Sequence, residues 1–380
     1  MIKLIINAKL PNNNIVNILI VNDKIIDVSN NKKYNDLLNN ISDFEIINAR
    51  NNYVIPSYID NHEHIVGGGG EDGFISKIDE MSSIDILKNG VTTVVGVLGT
   101  DTLTRSVENL VSKTKALNSD DITAFCLTGG YQYPSPTIIG SVGKDIVFIN
   151  EIIGAKIAIS DHRCYNPNKD DLIKLLSEIR VASLIAKKIG ILNIHVGWGK
   201  GNMDVLFDIL NETNIPINTI RPTHITNNKK VFEQAMELTR KNGYMDITID
   251  EDIEKTYYYL RKAHKIGNIN YITMSTDANG SCPIWKDGKV LGMKKSDNSI
   301  IHRLVRYLIC EKKYSVNDAI RFVTSNPSKA LGLQNKGEIL EANDADMIIM
   351  DNDYNIDTVI SKGKTIVKEK KLIKRSYYNE

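Results

Sequence analysis

Val54-Ile55-Pro56-Ser57-Tyr58-Ile59-Asp60-Asn61-His62-Glu63-His64 is the stretch whose reading decides the fold. An apolar run ends at Asp60, and two histidines follow with one residue between them. In an extended chain the side chains alternate between faces, so His62 and His64 point to the same side. Two imidazoles side by side at a strand end supply half of a divalent metal site. The same pattern also describes two surface histidines in a loop, and what lies up and down the chain decides between the two readings.

Downstream, short β-branched runs alternate with amphipathic segments. Residues 54–59, 92–98, 122–127, 156–160, 191–196, 219–224, 245–249 and 271–275 read as strands, and residues 172–188, 231–241 and 253–265 carry helical periodicity. A count of about eight β/α repeats favours a closed (β/α)8 TIM barrel over an open sheet. Upstream, residues 3–8, 15–21, 24–28 and 44–49 are short Ile- and Val-rich runs. Pro11-Asn12-Asn13-Asn14, Asn22-Asp23 and Asn30-Asn31 punctuate them as turns. Beyond two helical segments at 299–311 and 316–324, Lys336-Gly337-Glu338-Ile339-Leu340 restarts a β pattern, continued at 346–350, 356–361 and 365–368. The chain ends are therefore expected to join as a small β-sandwich domain, residues 1–54 plus 337–380, with the barrel, residues 55–336, inserted between its halves.

Composition narrows the function classes. With 42% hydrophobic residues, the 380-residue chain can bury a sizeable core. A net charge of +1 with well-mixed signs offers no basic stripe for nucleic acid. Cys126, Cys164, Cys282 and Cys310 include no Cys-x-x-Cys pair and do not make a disulfide framework. Met1-Ile2-Lys3-Leu4-Ile5-Ile6-Asn7 turns polar too soon for a signal peptide, and no apolar run reaches the roughly 18 residues of a membrane span. The expectation is a soluble protein of a reducing cytoplasm, with neither nucleic acid nor membrane as a partner.

In such a barrel the active site lies at the C-terminal ends of the strands. The fifth predicted strand ends in His195, the sixth in His224, and Asp277 follows the eighth. Of seven histidines in the chain, His62, His64, His195 and His224 fall on this one rim, which scattered loop histidines would not do. Taken singly, His195 or His224 also suits a hydrogen-bonded core histidine. Imidazole and carboxylate ligands together suit Zn²⁺ or a similar divalent ion, which lowers the pKa of bound water toward about 7. Lys156 opens the fourth predicted strand, with Ala158 and Ser160 on its face. If that face points inward, a free ammonium is costly there, whereas a neutral or carboxylated amine fits. The carboxylated form offers two oxygens, enough to bridge two cations. Otherwise Lys156 is an ordinary exposed residue at a strand start.

This ligand pattern resembles the amidohydrolase superfamily. His62-Glu63-His64-Ile65-Val66-Gly67-Gly68-Gly69-Gly70-Glu71 looks like the metal motif of its isoaspartyl (β-aspartyl) dipeptidases. Val94-Val95-Gly96-Val97-Leu98-Gly99-Thr100-Asp101, Leu127-Thr128-Gly129-Gly130-Tyr131, Ile159-Ser160-Asp161-His162-Arg163, Pro222-Thr223-His224 and Ser275-Thr276-Asp277-Ala278-Asn279-Gly280-Ser281 continue the likeness in order through the barrel. The resemblance implies a zinc metallopeptidase with two Zn²⁺ per subunit, acting on isoaspartyl dipeptides. It implies that His62, His64 and Asp277 bind one ion, that His195 and His224 bind the other, and that carboxylated Lys156 bridges them. It implies Glu71 for the free α-amino group, Tyr131 for the carbonyl under attack, Arg163 and Ser281 for substrate carboxylates, and Gly99-Thr100 as pocket lining. A bridging hydroxide would attack the side-chain amide, with Asp277 moving the proton to the leaving amine. A homo-oligomer, an octamer built from dimers, is implied as well.

Two departures stand out. Where the family carries a carboxylate-gripping arginine after the sixth strand, this chain reads His224-Ile225-Thr226-Asn227-Asn228-Lys229-Lys230, so the matching position is Asn227. Asn cannot supply the charge; Lys229 or Lys230 is the candidate replacement. Gly197-Trp198-Gly199-Lys200 also differs from the family pattern. The rival readings are a cyclic-amide hydrolase of the dihydroorotase or hydantoinase kind, which has no use for Glu71, and a metal-free scaffold, which has no use for a full ligand set.

Overall fold

The computed structural model describes residues 2–30, 44–286 and 289–375, and the side chains of 282–286, 289–290 and 293 lie outside the description. Eight parallel strands form the barrel: β6 Tyr58–Glu63, β7 Val91–Gly96, β8 Thr123–Gly129, β9 Ile152–Ile159, β10 Ile191–Val196, β11 Ile220–Thr223, β12 Met245–Thr248 and β13 Ile272–Ser275. Strands β7, β9 and β10 are buried at every position, as expected of parallel strands covered by helices on one side and a packed interior on the other. Backbone ladders run without interruption from β6 to β11, and β12 pairs with β13. Strand β12 lies beside β11 and β13 beside β6, which closes the ring; no ladder spans the first seam, and an isolated bridge of Glu63 with Ala278 spans the second.

The outer helices start where the sequence supplies caps. Asn168 accepts from the Asp171 amide at the head of Lys169–Ala186, and Asn228 does the same for Val231 in Lys229–Arg240. The latter helix buries Val231, Phe232, Ala235, Met236 and Leu238 against the barrel. Burying each large aliphatic side chain contributes about 1.5–3 kcal/mol. Among the described residues, no helix is long and apolar enough to cross a membrane.

The chain ends form two sheets. One, in the order β3 Lys24–Ser29, β2 Ile15–Val21, β1 Ile2–Lys9, β4 Phe44–Asn48, comes from the N-terminal end. In the other, β5 Val54–Pro56 pairs antiparallel with β16 Met347–Met350, followed by β17 Ile356–Ser361, β18 Lys364–Lys368 and β19 Lys371–Leu372. Ile5, Ile18, Ile20 and Ile47 of the first sheet share one apolar cluster with Val54, Met347, Ile349 and Ile360 of the second.

Several sequence-based boundaries need correction. The run 54–59 is not one strand: Ser57 separates β5, in the end sheet, from β6, in the barrel. Lys156 does not open its strand but sits in the middle of β9. Residues 336–340 form no strand, although Ile339 still packs into the shared cluster. The segment 316–324 is a short helix, Val316–Ile320, then a 3-10 turn, Arg321–Val323, before a further helix, Ser325–Ala330. A hairpin, β14 Ser281–Lys286 and β15 Lys289–Lys295, follows the barrel's last strand and is not legible as alternation.

Candidate active site

The end of β6 delivers His62 and His64, 1% and 7% exposed, into a ring of side chains from the other strand ends. Ligand atoms of His62, His64 and Asp277 all lie within 4.8 Å of one another. Asp277 Oδ1 is 3.0 Å from His64 Nε2 and 3.5 Å from His62 Nε2, without a hydrogen bond of acceptable geometry. Lys156, fully buried, places its Nζ 2.9 Å from His62 Nε2. The His224 ring centroid lies 5.4 Å from that of His62 and 4.5 Å from that of His195. His224 and Asp277 adopt left-handed backbone, φ 59° and 51°, a conformation that costs a non-glycine residue about 1–3 kcal/mol and clusters at functional sites.

Protonation states follow from burial. Desolvation lowers His62 and His224 well below the usual histidine range and takes His195 down to about 4, so these imidazoles are neutral at pH 7. Burial also brings the Lys156 amine down to about 7. Burial pushes the Asp277 carboxyl up, but the close approach of His64, with His224 and His62 beside it, outweighs burial and holds the group ionised. Neutral imidazoles, an amine that readily loses its proton and a carboxylate are the forms that ligate metals. The donor set thus fits a divalent ion at His62, His64 and Asp277. At the neighbouring position, Thr248 Oγ1 contacts His224 Nδ1 at 2.8 Å and leaves Nε2 available. His195 has both nitrogens engaged, Nδ1 with the Tyr131 hydroxyl at 2.7 Å and Nε2 with Asp161 Oδ2 at 3.1 Å, so a bond to an ion replaces one of them.

Above this cluster opens a cavity of about 220 Å³. Glu71, Thr100, Tyr131, Arg163, Asn227 and Ser281 all border it, together with His64, His195, His224 and Asp277. Glu71 accepts hydrogen bonds from Thr100 Oγ1 at 2.7 Å, Ser281 Oγ at 2.8 Å and Arg163 NH1 at 3.2 Å. Arg163 grips Asp161 through Nε at 3.0 Å and NH2 at 2.9 Å. Burial raises the Tyr131 phenol well above its ordinary range, so it remains a hydrogen-bond donor. Asn227 borders the cavity and donates from its side-chain amide to the Val196 carbonyl at 2.8 Å. Lys229 and Lys230 do not replace the missing arginine: they lie 3.7 Å from Glu233 and 2.8 Å from Asp204, and neither borders the cavity.

The Gly67–Gly70 run is a folded loop. Gly67 and Gly69, φ 80° and 78°, lie so close to the Ile78 and Ser76 carbonyls that a Cβ would collide with them. Arg105, which sequence patterning did not single out, donates to the Val66, Gly68 and Ile78 carbonyls and fixes the loop that carries Glu71. Asp161 lay inside a quoted motif, but its contact with His195 comes from a residue 34 positions away and leaves no local signal. Trp198, at one of the departures noted above, borders the cavity with its indole largely exposed. Glu63 is buried, accepts from Asn298 Nδ2 at 3.3 Å, and its carboxyl is pushed well above the usual carboxylate range by burial and by the nearby Asp60.

Residues 53–366 match the amidohydrolase family. The chain belongs to the amidohydrolase family. This amidohydrolase is 36% identical to a β-aspartyl dipeptidase from the thermophilic Fervidobacterium islandicum AW-1 solved with the dipeptide β-Asp-Leu, with all of both chains covered and a TM-score of 0.92. A second structure under that enzyme's name is 35% identical over all of both chains, with a TM-score of 0.88. An enamidase of the same superfamily shares the fold at a TM-score of 0.67 and 17% identity, with 97% of each chain covered. The amidohydrolase is thus a hydrolase, and the likeness to the β-aspartyl dipeptidases read from its motifs extends over its full length.

Proposed function

We propose that this amidohydrolase cleaves β-aspartyl dipeptides at the amide that joins the aspartate side chain to the next residue. The observation that carries the reading is that Glu71, held by Thr100, Ser281 and Arg163, shares one cavity with the metal-competent cluster. A β-aspartyl residue keeps its α-amino group free, and an anion facing the cavity is what such an ammonium needs. A cyclic ureide has no ammonium to offer. The similarity to an enzyme solved with β-Asp-Leu supports the same assignment.

Two divalent ions, zinc by the donor set, would be held by His62, His64 and Asp277 and by His195 and His224, with carboxylated Lys156 between them. When bound, they supply Lewis acidity and a water-derived nucleophile at neutral pH. The chain's own groups bind and orient the substrate. Glu71 takes the ammonium, Arg163 and Ser281 hold carboxylate, and Thr100 fixes Glu71. Tyr131 keeps its proton and donates to the carbonyl oxygen as charge develops there. Asp277 accepts the proton released by the attacking water and passes it to the leaving amine as the C–N bond breaks. With Asn227 neutral, the leaving residue's carboxylate is held without a second arginine fork. Exposed Val181, Leu184 and Ile185 on one face of Lys169–Ala186 support a homo-oligomeric working form, and unpaired Cys126, Cys164 and Cys310 suit a reducing cytoplasm.

The test is a zinc-supplemented panel of β-Asp-Leu, α-Asp-Leu, γ-Glu dipeptides and dihydroorotate. Preferred cleavage of β-Asp-Leu is the expected result; preference for α-linked or cyclic substrates overturns the assignment.

A further inference from the structure

The barrel's backbone ladder is interrupted between β11 and β12, and between β13 and β6 it is reduced to a rim bridge of Glu63 with Ala278, where the Asp277 amide donates to the His62 carbonyl at 3.1 Å and the His64 amide to the Ala278 carbonyl at 2.9 Å. Asp246, 2% exposed and one residue into β12, sits where both seams can be reached. Its Oδ1 accepts from Asn61 Nδ2 on β6 at 3.0 Å and from Thr273 Oγ1 on β13 at 2.7 Å. Its Oδ2 accepts from Ser275 Oγ on β13 at 2.6 Å and from Thr223 Oγ1 on β11 at 2.9 Å. Four donors fill the acceptor capacity of one carboxylate, which favours a single geometry. The partners are not scattered. Asn61 immediately precedes His62, Thr223 immediately precedes His224, and Ser275 stands two residues before Asp277.

We infer that Asp246 is a positioning residue for the metal centre: backbone bonds already join His62 to Asp277 across the β6/β13 seam, and one carboxylate ties β11 to that pair across the seam that has no ladder, setting His224 against His62 and Asp277. The inference rests on the metal-dependent reading of the site. It explains why a charged side chain is placed in the barrel interior, where burial without partners is costly. Apolar packing alone would close the β11/β12 seam without specifying the separation of the residues above it.

The test uses Asp246→Asn, which keeps the shape, and Thr223→Val, which removes only the β11 link. Each variant is compared with the wild-type chain for zinc affinity, by competition with a chromogenic chelator, for thermal stability without metal, and for kcat and KM on β-Asp-Leu. The expected result is about 10-fold or greater loss of zinc affinity for Asp246→Asn. The expected kinetic change is a fall in kcat with KM little changed, and Thr223→Val is expected to follow in the same direction, more weakly. Wild-type zinc affinity in both variants overturns the inference, as does a loss of affinity matched by an equal loss of metal-free stability. If the wild-type chain itself binds no zinc, the metal-dependent reading fails rather than this one. Should Asp246→Asn not fold, Thr223→Val alone decides.

Discussion

Replacing Glu71 by Gln tests substrate recognition with the least disturbance of shape. The amide keeps one oxygen to accept from Thr100 and Arg163, now 2.7 and 3.2 Å from the carboxylate, while its NH2 faces the Ser281 hydroxyl, which can accept in place of donating; the charge is lost and the shape kept. A hydrogen bond to a charged partner contributes about 1.5–3 kcal/mol net. The Glu71 side chain is 24% exposed and already shared with Arg163, so the lower part of that range applies. A loss of about 1.5–2 kcal/mol corresponds to roughly 10–30-fold in kcat/KM, at about 1.4 kcal/mol per factor of ten. The assay is steady-state hydrolysis of β-Asp-Leu at neutral pH by the zinc-loaded enzyme. Succinyl-leucine, which is β-Asp-Leu without its α-amino group, is the internal control. Wild type and Glu71→Gln should cleave it at the same, low rate, because the partner of Glu71 is absent. A variant within about twofold of wild type on β-Asp-Leu refutes the reasoning. So does an equal loss on both substrates, which would make Glu71 a part of the loop's architecture and not a receptor for the amine.

Asp277→Asn should retain metal yet lose turnover by about 10²–10⁴-fold, since a carboxamide cannot relay a proton; near-normal kcat with metal content unchanged counts against the assigned role. Where the loop before β8 meets the end sheet, burial raises the Asp121 carboxyl, but Lys364 and Lys374, each 2.7 Å away, more than offset it and hold its pKa low. A depressed folded-state value means the stabilisation is complete above the ordinary carboxylate range and is lost as pH falls through it toward the folded value. Asp121→Asn should therefore lower stability by about 1 kcal/mol at pH 7, a small figure because the pairs are partly exposed, and flatten the stability decline between about pH 5 and 3, measured by thermal melts across that range.

The barrel was legible because its strands are short, mostly apolar and β-branched runs and its helices amphipathic, so period and length separate them. The rim was legible for the same reason: once eight strands are placed, His195, His224 and Asp277 occupy equivalent strand-end positions. What escaped depends on contacts distant in sequence. Asp246 reads as a polar interruption of a short strand, and its four donors come from three other strands. Arg105 reads as a loop arginine, because its carbonyl partners lie 27 to 39 residues upstream. The break at Ser57 was hidden by continuity of composition, since Val54, Ile55 and Pro56 before it and Tyr58 and Ile59 after it are all buried and apolar or aromatic.

That break has a further consequence. Pro56 closes one sheet and Tyr58 opens the other, so a single residue sets the phase between them. Side chains on a strand face alternate sides, and a one-residue insertion or deletion here would turn Glu63 toward the cavity and both histidines away from it. A two-residue change would restore the facing but displace the pair by about 6.6 Å along the barrel. The end sheets, far from any chemistry, thus act as a fixed datum from which the ligands are measured, and the length of the chain between β5 and His64 is as much a part of the site as the histidines themselves.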